Sequence, residues 1–231
     1  MIECIVCKNK KIELFKIIDE KKYWHCINCE AKFLDKKNYI NAINEKKHYL
    51  KHNNFIKDPG YRKFLSKLSE SLKKYISIND FGLDYGCGYA PALADIFKED
   101  GFTIDIYDPF FFPNENVFLN KYNFITCSEV FEHLFNPYDE FFKLDALLEC
   151  NGYLGVMTSF MPSDQEFEDW YYRRDPTHVV FYNEKTFEVI ASQMEWNLII
   201  PSKDIIIFKD LGCKGIVSGV LTKEKNLDKY R

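Results

Sequence analysis

Three groups of residues in this chain have the types and spacing to do chemistry. The first is Glu129-Val130-Phe131-Glu132-His133, followed much later by His178. On a helical turn Glu129, Glu132 and His133 share one face, because residues three and four apart are neighbours there. Two carboxylates and two imidazoles form a donor set for a divalent ion. Such an ion can hold two adjacent substrate hydroxyls and lower the pKa of the one that attacks. Without an ion, His133 or His178 still offers a base near neutral pH. In the plainest alternative, Glu132 and His133 are polar residues at a helix start and His178 works alone.

The second group is Cys4-x2-Cys7 and Cys26-x2-Cys29. Each knuckle presents two thiolates to one tetrahedral ion, the spacing of a zinc site. Two disulfides are the alternative, disfavoured in a reducing compartment. So short a segment has little core, and a structural zinc would supply most of its folding energy. His25 beside Cys26 reads as packing, since four thiolates already complete the set.

The third group is Leu83-Asp84-Tyr85-Gly86-Cys87-Gly88-Tyr89-Ala90. An apolar run ends in an acid, a glycine turn follows, and a helix is predicted from Pro91 to Lys98. Glycines let the backbone approach a ligand, and a helix start offers free N–H groups. This suits a nucleoside cofactor at the carboxyl end of a first strand. The alternative is a tight glycine turn in some other α/β enzyme.

With the acid in front and Gly-Cys-Gly at its centre, this segment resembles motif I of the class I S-adenosylmethionine (SAM) methyltransferases. The resemblance implies an α/β, Rossmann-like sheet with SAM as cofactor. It implies cofactor contacts from Asp84, Gly86, Cys87, Gly88, Asp108, Ser128 and Glu129. Asp108, ending the second strand, would accept both ribose hydroxyls; Asp105 is an alternative but lies mid-strand. Asp84 would face the methionine part. The Glu129/Glu132/His133 pattern with a later His178 resembles two branches. One is the small-RNA 3′-terminal 2′-O-methyltransferases, which bind an ion there; the other is the ubiquinone-type O-methyltransferases of catechol-like rings. The Asp175-Pro176-Thr177-His178-Val179 stretch, the cysteine module and Tyr107-Asp108-Pro109-Phe110 together resemble a bacterial subfamily of zinc-ribbon methyltransferases. That likeness spans essentially the whole chain.

The elements that must hold these groups follow from periodicity. The reading is a zinc ribbon over 1–35, a linker and helix over 36–78, the methyltransferase domain over 79–210 and a tail over 211–231. Ile12–Ile18 and Lys22–His25 read as a hairpin, and a helix is expected near Tyr39–Lys51. Phe64, Leu65, Leu68 and Leu72 recur at helical spacing. Strands are expected at Phe81–Tyr85, Thr103–Tyr107, Tyr122–Cys127, Gly152–Ser159, Leu198–Ile200 and Asp204–Phe208. Helices are expected from Asn136-Pro137 to Leu148 and from Asn183, as cap, to Trp196. Between Asp108 and Tyr122 the chain is too short for the helix and strand usual in the family. There Phe110, Phe111 and Phe112 pack on adenine or fill core.

The segment from Asp169 to Tyr182 reads as a substrate wall. Trp170 and Tyr172 can stack on a ring or base, and Arg173 and Arg174 can bind a carboxylate or phosphate. Alternatively this loop closes on itself through salt bridges and aromatic packing.

Net charge is −4 over 231 residues, but unevenly placed. Residues 1–76 hold 18 basic and 9 acidic side chains; the remainder holds 13 against 26. A basic module on an acidic body can steer RNA, or the two parts simply attract each other. No apolar run approaches the ~20 residues a membrane helix needs, and the N-terminus does not read as a signal peptide. The expectation is a cytoplasmic enzyme acting on a small hydroxylated molecule, with RNA as the rival acceptor and a non-catalytic SAM-binding scaffold as a third reading. The sequence carries no signal for oligomeric state.

Overall fold

The structure, a computed structural model, describes residues 2–51 and 55–212. Residues 213–231 of the predicted tail lie outside the described residues.

The N-terminal module is a hairpin of β1 (Ile12–Ile18) and β2 (Lys21–Cys26), extended by β3 (Lys32–Leu34). Asp19 and Glu20 in its turn both take positive φ, the mirror-image turn that matches strand twist. The chain then forms α1 (Ala42–Tyr49), capped by the Asn41 side chain, and α2 (Pro59–Leu72), capped by Asp58 with Pro59 in the first turn. Leu65, Leu68 and Leu72 are the buried stripe of α2.

Next come β4 (Phe81–Tyr85), α3 (Ala92–Glu99), β5 (Thr103–Tyr107), β6 (Tyr122–Ser128), α4 (Pro137–Leu147) and β7 (Leu148–Met157). The short β8 (Val180–Phe181), α5 (Glu184–Met194), β9 (Trp196–Ser202) and β10 (Ile205–Asp210) follow. The six-stranded sheet runs β5-β4-β6-β7-β10-β9. Its first four strands are parallel, and β10 pairs antiparallel with both β7 and β9. All strands expected from sequence are present. β7 starts at Leu148, four residues early, and carries Asn151 at φ 62° as a distortion within the strand. α5 ends before Trp196 because Glu195 turns left-handed at φ 58°.

The shortened segment after Asp108 adds no strand. It forms a bridge between Asp108 and Phe112 and one 3-10 turn at Glu115–Leu119, leaving β5 at the sheet edge. One core lies between the sheet and α2 and α3; the other joins α4 and α5 to the cysteine module. That second core is continuous because β8 pairs with β3 in a second sheet, β1-β2-β3-β8. The module and the domain therefore share a sheet as well as a core. Among the described residues no helix is long and apolar enough to cross a membrane.

Candidate active site

A cavity of about 970 Å³ opens over the carboxyl ends of β4, β5 and β6. Gly86 (φ 77°) and Gly88 (φ 64°) form its floor. A Cβ on Gly86 would meet Val130 at 2.5 Å, so the turn tolerates only glycine. A Cβ on Gly88 would meet nothing within 4 Å, so this backbone faces open space. Asp84, 2 % exposed, accepts a hydrogen bond from the Thr126 hydroxyl at 2.9 Å. Burial raises its carboxyl to about 7, partly offset by Thr126 and the Ala94 N–H. Asp108 accepts from the N–H groups of Gly88 (3.0 Å), Phe110 (2.8 Å) and Phe111 (3.0 Å). It thus ties the glycine turn to the Phe turn; burial still raises its carboxyl against those bonds. Asp105 instead accepts from Tyr122 at 2.9 Å and does not line the cavity. Cys87 lines the cavity with its thiol pushed up by burial. The Ser128 hydroxyl is buried and has no partner among the described residues.

The other end of the cavity holds the imidazoles. After β6 the backbone flips to φ 53° at Glu129, whose N–H donates to the Met157 carbonyl at 2.8 Å. A 3-10 turn at Phe131–His133 follows. A left-handed non-glycine residue is strained, and such strain collects at working sites. Glu132 is fully buried and accepts from the hydroxyls of Tyr172 (2.5 Å) and Thr158 (2.9 Å). His133 Nδ1 lies 3.2 Å from the Thr177 carbonyl, and His178 Nδ1 lies 2.7 Å from the Tyr172 carbonyl. A carbonyl only accepts, so each Nδ1 carries the proton and each Nε2 keeps its lone pair. The two rings meet edge to face at 4.6 Å. Burial holds the His133 imidazole down to about 4 against the pull of Glu132, so it is neutral at pH 7.

Glu132, His133 and His178 bring one ligand atom each within 4.8 Å of one another. Glu129 does not join them, correcting the expected four-residue set. The turn is 3-10 and begins after the left-handed residue, so Glu129 is not on the same helical face. Its carboxyl lines the cavity instead, raised by burial and by the charge of Glu132.

The predicted substrate wall divides. Tyr172 lines the cavity, but Trp170, Arg173 and Arg174 do not. Trp170 packs among Phe167, Tyr172 and Phe181. Arg173, 7 % exposed, donates to Tyr23 and the Glu168 carbonyl, and Arg174 pairs with Asp169 on the surface. Phe110 and Phe111 are half-buried and face the cavity rather than the core.

The helix expected near Tyr39–Lys51 is α1, but sequence reasoning missed that it lines the site. Glu45, 8 % exposed, lines the cavity opposite Asp108, and Tyr49 meets the His133 ring edge-on at 5.3 Å. Lys46 donates to the Phe110 carbonyl at 3.0 Å, and His48 pairs with Asp175 at 3.0 Å. A lysine-rich stretch reads as linker, and only its tertiary contacts make it a cover. The cavity is acidic: Glu45, Asp84, Asp108, Glu129, Glu140 and Asp175 line it, with Lys143 the sole lysine or arginine among its described lining residues.

The four cysteines are buried, with Cys4 and Cys29 sulfurs 3.6 Å apart and those of Cys7 and Cys26 also 3.6 Å apart. A tetrahedron with Zn–S bonds of about 2.3 Å has edges of about 3.8 Å. The cluster is compatible with one structural zinc.

Residues 50–199 match the sequence profile of the family described as "Methyltransferase domain". No curated protein matches the chain. Among solved structures, the chain is similar to the Burkholderia thailandensis 1,6-didemethyltoxoflavin-N1-methyltransferase, whose structure holds 1,6-didemethyltoxoflavin and S-adenosylhomocysteine (11 % identity, 80 % of this chain and 98 % of that one, TM-score 0.49). It is also similar to a SAM-dependent methyltransferase from Archaeoglobus fulgidus (15 % identity, 64 % and 94 %, TM-score 0.48).

Proposed function

This chain belongs to the methyltransferase-domain family and is a SAM-dependent enzyme, and we propose that it methylates a hydroxyl of a small, uncharged or cationic acceptor. The observation that carries this reading is the pair of imidazoles, each with its protonated Nδ1 on a backbone carbonyl and its lone pair therefore on Nε2, at the end of the cavity opposite the glycine turn. Transfer needs alignment more than activation, because the sulfonium is already a good leaving group. The acceptor oxygen forms a bond to the methyl carbon as the carbon–sulfur bond breaks. The hydroxyl proton passes to His178 Nε2, and S-adenosylhomocysteine leaves.

The remaining residues fit that arrangement. Gly86, Gly88, Asp108 and the unpartnered Ser128 hydroxyl serve the cofactor, and Asp84 faces its amino end. Glu132, His133 and His178 could instead hold a divalent ion, in which case His178 Nε2 would be a ligand rather than the base and the ion would lower the pKa of the acceptor hydroxyl. Tyr49, Phe110 and Phe111 give the acceptor aromatic walls. The acidic lining favours the cationic cofactor and disfavours a polyanion, so RNA is the weaker acceptor reading. The zinc at Cys4, Cys7, Cys26 and Cys29 is structural in this account.

The test uses methyl-labelled SAM with a panel of catechols, monophenols and amines. Label on catechol oxygen is expected, lost at least 100-fold in His178→Ala while S-adenosylhomocysteine affinity stays within about twofold. Transfer only to amines, or full activity in His178→Ala, contradicts the reading.

A further inference from the structure

The cysteine cluster and the acceptor end of the cavity are joined by one backbone ladder. Cys26 ends β2, β2 pairs with β3, and β3 pairs with β8, which begins two residues after His178. The Leu34 N–H donates to the Val179 carbonyl at 2.8 Å, and the Val179 N–H donates to the Glu132 carbonyl at 2.8 Å. Both His178 and the Glu132 turn are therefore bonded, within one residue, to a strand that starts three residues beyond Cys29.

Side chains close the same seam. Arg173 Nη1 donates to the Tyr23 hydroxyl at 3.2 Å, and Tyr23 is 2 % exposed. Lys32, 4 % exposed, pairs with Asp164 at 2.5 Å. Phe167 lies edge-on to both Phe15 and Tyr23. Residues 158–179, between β7 and β8, contain only a 3-10 turn at Tyr171–Arg174. A segment with so little regular structure takes its shape from what it docks on. The glycine turn and Asp108 are built on the other sheet, away from this seam.

We propose that the zinc ribbon is the positioning module of the acceptor site: the metal clamps β3, β3 sets β8, and β8 sets His178 and the Glu132 turn. Zinc occupancy and methyl transfer are then coupled, while cofactor binding is independent of the ribbon. Tyr23 acts in the same way, as a positioning residue that holds Arg173 and the loop. The inference rests on the reading of His178 as an acceptor-side residue, and hydrogen exchange separates the two claims.

The experiment strips zinc from the full-length protein with a chelator, checks metal content, and measures amide exchange, S-adenosylhomocysteine affinity and turnover. Exchange across 172–182 should rise at least tenfold, with exchange at 84–88 and cofactor affinity within threefold of the zinc form. Turnover should fall by at least tenfold and return on adding zinc. A rise in exchange with turnover intact leaves the mechanical link between ribbon and loop, but it overturns the coupling to methyl transfer and removes His178 from the chemistry. Unchanged exchange across 172–182 overturns the proposal. Should the stripped protein unfold, Tyr23→Phe provides the second arm, with zinc retained. It should lower kcat severalfold and raise exchange at 172–178 without changing the SAM KM, and an unchanged kcat and exchange overturn the proposal there.

Discussion

Asp84 is the residue whose cost to the fold can be measured directly. Its carboxyl is buried beneath the glycine turn and raised to about 7 from 3.8. The native state holds the proton more tightly than the unfolded chain, so this residue's contribution to stability falls as pH rises from about 4 to about 7. Three pKa units correspond to on the order of 4 kcal/mol. Asp84→Asn should therefore raise the Tm at pH 8 by about 5–10 °C and hardly change it at pH 4.5. Cofactor affinity should fall in the same variant. An equal Tm gain at both pH values would show that ionisation is not the cause. The glycines, Asp84, Asp108 and the cysteines were legible in the sequence because each depends on local spacing. The exclusion of Glu129 from the metal cluster was not, because it follows from a left-handed residue anchored to β7. The role of Arg173 was equally hidden: its partner Tyr23 is 150 residues away.

At the scale of elements, the positions of the strands of the six-stranded sheet were readable because apolar runs end where those strands end. Two features were not: the strand β8, and the place of the expected helix α1 over the cavity. β8 is two residues long and owes its existence to β3. α1 has eight residues and an exposed, lysine-rich surface, and a helix so short is marginal without packing. Its packing is the cavity roof: Glu45 and Tyr49 point inward, while Lys46 and His48 clip its two sides to the Phe turn and the Asp175 loop. A ligand beneath should stabilise that roof. S-adenosylhomocysteine is expected to slow tryptic cleavage at Lys47 by at least fivefold. Cleavage at an unchanged rate would mean that α1 does not sense the cofactor.

At the scale of the whole molecule, the charge asymmetry has two parts. The net +9 of residues 1–76 sits against a body of net −13. Part of it is used internally, since Lys16 reaches the Asp164 carbonyl and Lys32 the Asp164 carboxylate across the seam. The cavity itself is acidic. Raising salt from 50 to 200 mM should change the acceptor KM less than twofold. An acceptor held through six or more phosphates would lose about 10³-fold or more over that range.

The central claim is methyl transfer to a small hydroxylated acceptor at the His133/His178 end of the cavity. The most direct measurement incubates the protein with methyl-labelled SAM and a cell extract, then separates RNA, protein and small molecules, with His178→Ala in parallel. The account predicts label in the small-molecule fraction, on oxygen, and none with the variant. Label concentrated in RNA, or label undiminished by His178→Ala, would contradict it.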